Sequence, residues 1–204
     1  MMLKAAQDGA RIINLSVGRN FHNEFCNGNN QKKLDETTAI YRQAIQAVID
    51  DGHDVLWVIA AGNEPCDAAL TTPANLSAEF PNVMTVASAN DRGELSNFSA
   101  RGPRVTVAAA GGQAPDIGPF GEQLVLSTVP VNCGLFGWFC ANYGFDRGTS
   151  MAAPQVTGLA ALVLSSHPGL TATQVKDCIV AGANANGPAI AGEAFHVVHG
   201  PSAV

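Results

Sequence analysis

The chain has 204 residues, 47% of them apolar and only 14% charged, against about 25% charged in an average soluble domain. That excludes an unfolded acidic tail and fits a single domain with a sizeable core of its own. The formal net charge of −6 argues against nucleic acid as a partner, because phosphate-backbone binding depends on clustered lysine and arginine. No apolar run approaches the roughly 18 residues of a transmembrane helix, so no membrane partner is expected. Residues 1–6 carry one positive charge with no apolar stretch behind it, and so lack the centre of a secretory signal.

In chain order, residues 10–17 read Ala-Arg-Ile-Ile-Asn-Leu-Ser-Val after Gly9, a short apolar core that predicts a buried strand. The asparagine-rich stretch 19–31 predicts a surface loop. Leu34, Thr38, Tyr41, Ile45 and Val48 then step by 4, 3, 4 and 3, one face of a helix over 32–51 that Gly52 ends. Val55-Leu-Trp-Val-Ile-Ala-Ala61 carries no charge, as a strand covered on both faces would. Residues 83–87, 105–109 and 124–127 are further strand candidates. Residues 62–82 and 111–121, rich in proline or glycine, are expected to be loops.

Residues 150–166 are apolar nearly all round, which predicts a helix buried through the domain centre, with Pro154 tolerable only in its first turn. Thr171 followed by Gln174 has capping-box spacing and opens a last helix, for which Gly182 is the expected stop. A weak peripheral strand is expected over 194–198. Helices between strands mark an α/β domain with a largely parallel sheet flanked by helices. The five cysteines include no Cys-x-x-Cys pair, which weighs against a zinc ribbon or a dithiol redox site. Cys133 and Cys140 are spaced for a small disulfide loop in an oxidising compartment, or are two free thiols.

Two places break this pattern. At Ile59-Ala-Ala-Gly-Asn-Glu64 a buried strand ends in glycine and is followed by a side-chain amide, at the end of a parallel sheet where ligands bind. An amide there can stabilise charge developing on a carbonyl oxygen, or Asn63 can simply cap a turn. At Gly148-Thr-Ser-Met-Ala-Ala-Pro154 a serine stands in the first helical turn among unpaired backbone N–H groups. Thr149 or Ser150 serves equally well as an N-cap on this reasoning.

Gly148-Thr-Ser-Met-Ala-Ala-Pro154 resembles the signature around the nucleophilic serine of subtilisin-like serine proteases. Ala60-Ala-Gly-Asn-Glu64 resembles the family segment whose asparagine donates to the oxyanion, and Ile13-Asn-Leu-Ser-Val-Gly18 the strand along the substrate cleft. Phe80-Pro-Asn-Val-Met-Thr-Val-Ala-Ser88 and Leu95-Ser-Asn-Phe-Ser-Ala-Arg-Gly-Pro103 resemble the segments between them, in the same order. The resemblance implies that Ser150 is the nucleophile and that Asn63 and the Ser150 N–H form the oxyanion hole. It implies that Ser16, Val17 and Gly18 pair with an extended polypeptide substrate. Ala60, Ala61 and Gly62 would then wall the pocket for the residue before the cleaved bond, with Glu64 near its mouth and room for a large apolar side chain. Thr72-Pro73 falls near a family cis-proline turn. Arg19 stands where the family often has glycine and would narrow the cleft or give it a positive rim.

A serine hydroxyl is a weak nucleophile until a base takes its proton. In the resembled family an Asp-Thr/Ser-Gly and a His-Gly-Thr precede the strand that matches residues 10–17, and neither motif occurs in this chain. Of the five histidines only His22 lies in a loop beside the expected cleft, without an orienting carboxylate in sequence. Residues 1–204 therefore read as the carboxyl-terminal two-thirds of a catalytic domain, incomplete at its amino-terminal side. A serine endopeptidase inactive as the isolated chain is the leading expectation, with a preceding or separate segment supplying Asp and His. A non-catalytic peptide-binding remnant is the alternative. A nucleophile-elbow hydrolase is disfavoured, since no Gly-x-Ser-x-Gly occurs. An incomplete domain is also expected to expose apolar surface along its long helix and one strand edge, and so to associate. No carboxylate cluster has metal-site spacing, so no metal or other cofactor is expected; secretion would follow from the family.

Overall fold

The uncharged run at 55–61 becomes strand β3 (Leu56–Ala60), in which every residue is buried. Its side chains alternate between two faces. Leu56, Val58 and Ala60 join one core cluster, while Trp57 and Ile59 join another. The computed structural model that shows this describes residues 1–22, 26, 27, 30–115, 123–133 and 140–198.

Strand β3 pairs in parallel with β1 (Ile12–Leu15) and β5 (Val83–Ala89), and β5 with β6 (Val107–Ala110). The sheet order is β1-β3-β5-β6, with helix α1 (Met2–Gln7) leading into β1. Helix α2 (Gln31–Asp50) connects β1 to β3 and buries Leu34, Thr38, Ile45 and Val48, the stripe expected from sequence. Its first turn holds no acidic residue, and Asn30 caps it by accepting the Lys33 N–H. Against the opposite face of the sheet lie α3 (Thr149–Ser166) and α4 (Ala172–Asn186). The Thr171–Gln174 capping box forms with both of its hydrogen bonds.

Several elements depart from the sequence reading. Helix α4 runs through Gly182 to Asn186 and is capped at Gly187, because the burial of Ile179 and Ala183 outweighs glycine's modest helix penalty. Residues 124–127 do not join the main sheet. They begin β7 (Val125–Cys133), which pairs antiparallel with β8 (Cys140–Asp146) in a separate two-stranded sheet. The 19–31 stretch contains β2 (Arg19–Asn20), paired with β4 (Thr71–Thr72) inside the expected 62–82 loop. That loop also holds two short 3₁₀ segments, Ala68–Leu70 and Ala74–Ala78, and its Thr72-Pro73 bond is cis. The expected strand at 194–198 is reduced to isolated bridges at His196 and Val197. Cys26 and Cys66 form a disulfide. Cys133 and Cys140 are register partners in the hairpin, but their side chains lie outside the described residues.

Helix α3 is not buried all round. Ala152, Ala153, Val156, Leu159, Ala160 and Val163 face the sheet, whereas Pro154, Gly158, Ala161 and Leu162 are exposed, Leu162 by 57%. Strand β1 is half-buried throughout and, among the described residues, pairs only through β3. The hairpin adds Leu126, Tyr143 and Phe145, each more than half exposed. Apolar surface and a strand edge are both open to solvent.

The two faces of the helix layers should respond differently to truncation. Ile45 is fully buried under α2, so Ile45→Ala should cost about 2–5 kcal/mol. Leu162→Ala should stay within about 0.5 kcal/mol. Urea unfolding midpoints at unchanged slope check both. Arg42 of α2 forms a two-pronged hydrogen bond with Glu79, at 2.5 and 2.7 Å. That bond and the guanidinium charge hold the Glu79 carboxyl below its ordinary range. A depressed carboxylate gives stability that is present above the unfolded-state value and is lost as pH falls through the folded one. The pair is partly exposed, so the contribution is small. Glu79→Gln should flatten the fall in melting temperature at acid pH and leave the neutral range nearly unchanged.

Candidate active site

The carboxyl ends of β1 and β3 and the first turn of α3 meet on one side of the sheet, as expected for parallel strands that all point one way. Between them lies a cleft of about 390 Å³. Beyond β1 it is lined by Ser16, Val17 and Gly18, at the end of β3 by Ala60, Gly62, Asn63 and Glu64, and on α3 by Thr149 and Ser150. Asn20 and Thr71 complete it. Of the eight residues singled out from sequence, seven line this cleft. Ala61 does not: it is fully buried among Ala68, Ala87 and Ala100, because one step along an extended chain turns a side chain to the other face.

Asn63 and the start of α3 are joined directly. The Asn63 Oδ1 accepts the Thr149 N–H and the Thr149 hydroxyl, both at 2.9 Å. The Thr149 Oγ1 in turn accepts the Gly62 N–H at 3.2 Å. With its oxygen doubly engaged, Asn63 keeps its amide N–H groups for other acceptors. Glycine is required on both sides of this junction. Gly62 has φ +118°, and a Cβ there would sit 3.0 Å from Thr71 Oγ1; Gly148 has φ +148°, and a Cβ there would sit 3.1 Å from Asn63 Nδ2. Gly148 is also the N-cap of α3 and has no side chain to offer; the first N–H of the helix goes to Asn63 instead. The N-cap alternative for Thr149 and Ser150 is therefore not realised.

Ser150 is half-buried and sits in the first turn of α3, where backbone N–H groups lack intrahelical partners. Its hydroxyl donates to the Ser16 carbonyl at 3.3 Å, and the Ser16 hydroxyl donates to the Ser150 carbonyl at 2.9 Å. Behind this pair, Asn14 Nδ2 donates to Ser16 Oγ and the Thr157 hydroxyl donates to Asn14 Oδ1. Asn14, Thr157 and Thr149 thus position the cleft without signalling it in sequence. The nearest trace is that Asn14 interrupts an otherwise apolar strand and Thr157 an otherwise apolar helix.

Among the described residues, Glu64 is the one charged residue lining the cleft. Its Oε2 lies 3.3 Å from Nδ1 of His22, whose side chain is fully buried. The stretch expected to be a surface loop thus holds His22 inward: the Cys26–Cys66 disulfide ties it to the segment after Asn63, and the Asn30 N–H donates to the Phe21 carbonyl. Arg19 is not among the described residues that line the cleft, and its guanidinium stands 5.5 Å over the Phe21 ring.

A parallel α/β domain whose central helix begins with a serine, faced by an amide from a strand end, is the construction of the subtilisin-like fold. The family comparison is direct: the Subtilase family (peptidase S8) matches residues 1–200, and the chain belongs to that family. It is 34% identical over 178 residues to an extracellular basic protease of Dichelobacter nodosus, covering 85% of this chain and 24% of that protein. It is 32% identical over 136 residues to the subtilisin of Bacillus pumilus, covering 66% and 42%. Among solved structures it is similar to a protease of Pseudoalteromonas arctica, with TM-score 0.67, 25% identity and coverage of 96% of this chain and 50% of that one. A lanthipeptide protease gives TM-score 0.67, 26% identity and coverage of 92% and 58%. The chain thus spans less than half the length of these curated relatives and between 50% and 58% of the solved structures.

The Thr149 hydroxyl both donates and accepts within the junction. Thr149→Val should leave the Gly62 N–H without its acceptor and cost about 1–3 kcal/mol, whereas Thr149→Ser should retain most of the stability. Thermal unfolding of the two variants side by side checks this.

Proposed function

We propose that the chain is the serine-bearing part of a subtilisin-like endopeptidase domain, with Ser150 as nucleophile. The observation that carries the reading is the meeting of Ser150 and Asn63 in one cleft that also holds Ser16, Val17, Gly18, Ala60 and Gly62. On this reading an extended polypeptide lies along 16–18 by strand addition. The Ser150 Oγ attacks the scissile carbonyl carbon while its proton passes to an imidazole and then to the leaving amine. Water afterwards cleaves the acyl-enzyme, and the free Asn63 amide end with the Ser150 N–H would hold the oxyanion. Ala60 and Gly62 leave space for the side chain before the cleaved bond, and Glu64 sets a negative charge beside it.

The imidazole and its orienting carboxylate come, in this proposal, from a segment outside the 204 residues. His22 is unsuited to the task, since it is turned towards Glu64 and Cys66. The exposed face of α3 around Leu162 and the free edge of β1 support docking of such a segment. Without it, the oxyanion hole and binding alone leave about 10³–10⁴-fold acceleration over water, well short of useful turnover. A second reading, a peptide-binding remnant without catalysis, is favoured by one contact: the Ser150 hydroxyl now donates to a backbone carbonyl rather than to a base. An extracellular location is proposed because the Dichelobacter relative is an extracellular protease and because the Cys26–Cys66 disulfide suits an oxidising compartment.

A fluorophosphonate probe separates the two readings. The chain alone should label at background. Co-folded with an Asp- and His-bearing segment of a subtilase, it should label at Ser150, and Ser150→Ala should abolish the signal. In the complex before labelling, Asn63→Ala should lower kcat for peptide hydrolysis by about 10²–10³, a magnitude established on subtilisin. Peptide binding with no labelling in the complex would favour the remnant.

A further inference from the structure

At the edge of the cleft, Glu64 belongs to a group of side chains of which the proposed reaction uses no other member. His22 Nδ1 is 3.3 Å from Glu64 Oε2 and 3.7 Å from Cys66 Sγ. These three ligand atoms all lie within 4.8 Å of one another, and the Cys26 sulfur is bonded to that of Cys66. His22 is fully buried at its side chain and Cys66 is 3% exposed. We propose that Cys26, Cys66, His22 and Glu64 form a redox-gated site for a zinc-class divalent cation, closed while the disulfide stands and opened by its reduction.

The spacing suits that ion. Tetrahedral zinc with nitrogen and oxygen near 2.0 Å and sulfur near 2.3 Å sets N···O at about 3.3 Å and N···S at about 3.5 Å. The observed 3.3 and 3.7 Å nearly match these separations, with the Glu64 oxygen within 4.8 Å of the Cys66 sulfur. The two sulfurs do not, since a shared zinc needs them about 3.7 Å apart and a disulfide holds them near 2.0 Å. A bonded sulfur is also a poor ligand, because the metal binds the thiolate. The gate follows from this. A dithiol reductant gives two electrons to the Cys26–Cys66 bond and itself becomes a disulfide; the two new thiols release their protons as the cation binds. Thiolate, imidazole and carboxylate together favour zinc over calcium or magnesium, which prefer oxygen.

Two consequences tie the site to the cleft. The cation cross-links the loop carrying His22 and Cys26 to the segment just after Asn63, replacing the tether that reduction removes. It also takes the Glu64 carboxylate, so the cleft loses the one lining charge among its described residues.

The test uses Co²⁺ as the probe on the full 204-residue chain carrying Cys133→Ser, Cys140→Ser and Cys178→Ser, which removes the other thiols, including the exposed Cys178. The protein is reduced with a dithiol, freed of it under argon and titrated. The expected result is the strong visible absorption of tetrahedral cobalt, saturating at one ion per chain and displaced by Zn²⁺, with none in the oxidised protein. His22→Ala should weaken binding by about 10–100-fold and Glu64→Gln by about tenfold, with circular dichroism confirming the fold. If His22→Ala does not fold, Glu64→Gln carries the comparison. Equal binding by oxidised and reduced protein, a weak octahedral spectrum, or no loss of affinity in the folded variants would overturn the proposal.

Discussion

The structure turns on one junction, the double acceptance by Asn63 Oδ1 of the Thr149 N–H and hydroxyl. It welds the end of the central strand to the start of the central helix. Thr149 is only 1% exposed, and its hydroxyl is fully used because it donates to Asn63 and accepts from Gly62. A buried hydroxyl with both roles filled incurs no desolvation penalty, and one of the orphan N–H groups of α3 is satisfied in the same stroke. The position of Ser150 is a by-product: once Thr149 is fixed, the next residue must present its side chain to the cleft between β1 and β3. The two glycines that flank the junction are there because the chains approach too closely, and with too unusual a backbone, for a side chain.

Sequence patterns recovered what depends on local periodicity. The uncharged run of β3, the Leu34–Val48 stripe and the Thr171–Gln174 box each state their own environment within a few residues. Patterns failed where a distant partner decides. Gly182 reads as a stop, yet the packing of Ile179 and Ala183 against the sheet carries α4 onward. Residues 124–127 have the composition of a core strand, but their pairing partner is β8 and not the sheet. The uniformly apolar α3 announces burial without saying that only one of its faces is met by this chain. Cys26 and Cys66 are 40 residues apart, and no spacing rule joins them. Their bond also helps hold His22, in a stretch expected to be a surface loop, inward. At the site, Ser150, Asn63, 16–18, Ala60 and Gly62 were legible through their resemblance to a family. Asn14, Thr149 and Thr157 were not, because positioning by hydrogen bond leaves no motif.

The pattern of exposure bears on what the cleft can do. The open face of α3, the free edge of β1 and the apolar hairpin all adjoin the first turn that carries Ser150. Val125, Leu126 and Ser127 of the hairpin border a second cavity with Ser150, Met151, Pro154 and Gln155. An apolar surface of this kind, rimming a polar cleft, suits the docking of the polypeptide segment proposed above. Asn63 and Glu64 line the cleft beside Ser150, and on the proposed reading an imidazole reaches the hydroxyl from the open face of α3.

That approach meets little resistance from the present hydrogen bonds. The Ser150 hydroxyl donates to the Ser16 carbonyl at 3.3 Å, a long contact for an O–H donor. The reverse bond, from the Ser16 hydroxyl to the Ser150 carbonyl, is 2.9 Å and is backed by Asn14 and Thr157. The two bonds have separable roles. The shorter one holds the helix start against β1 and involves only the carbonyl of Ser150. The longer one merely parks a proton, and a carbonyl is too weak a base to remove it. An imidazole brought in along the open face of α3 has only that weaker bond to displace. The alignment between strand and helix then survives the change of acceptor, which is what a nucleophile completed by a second segment requires.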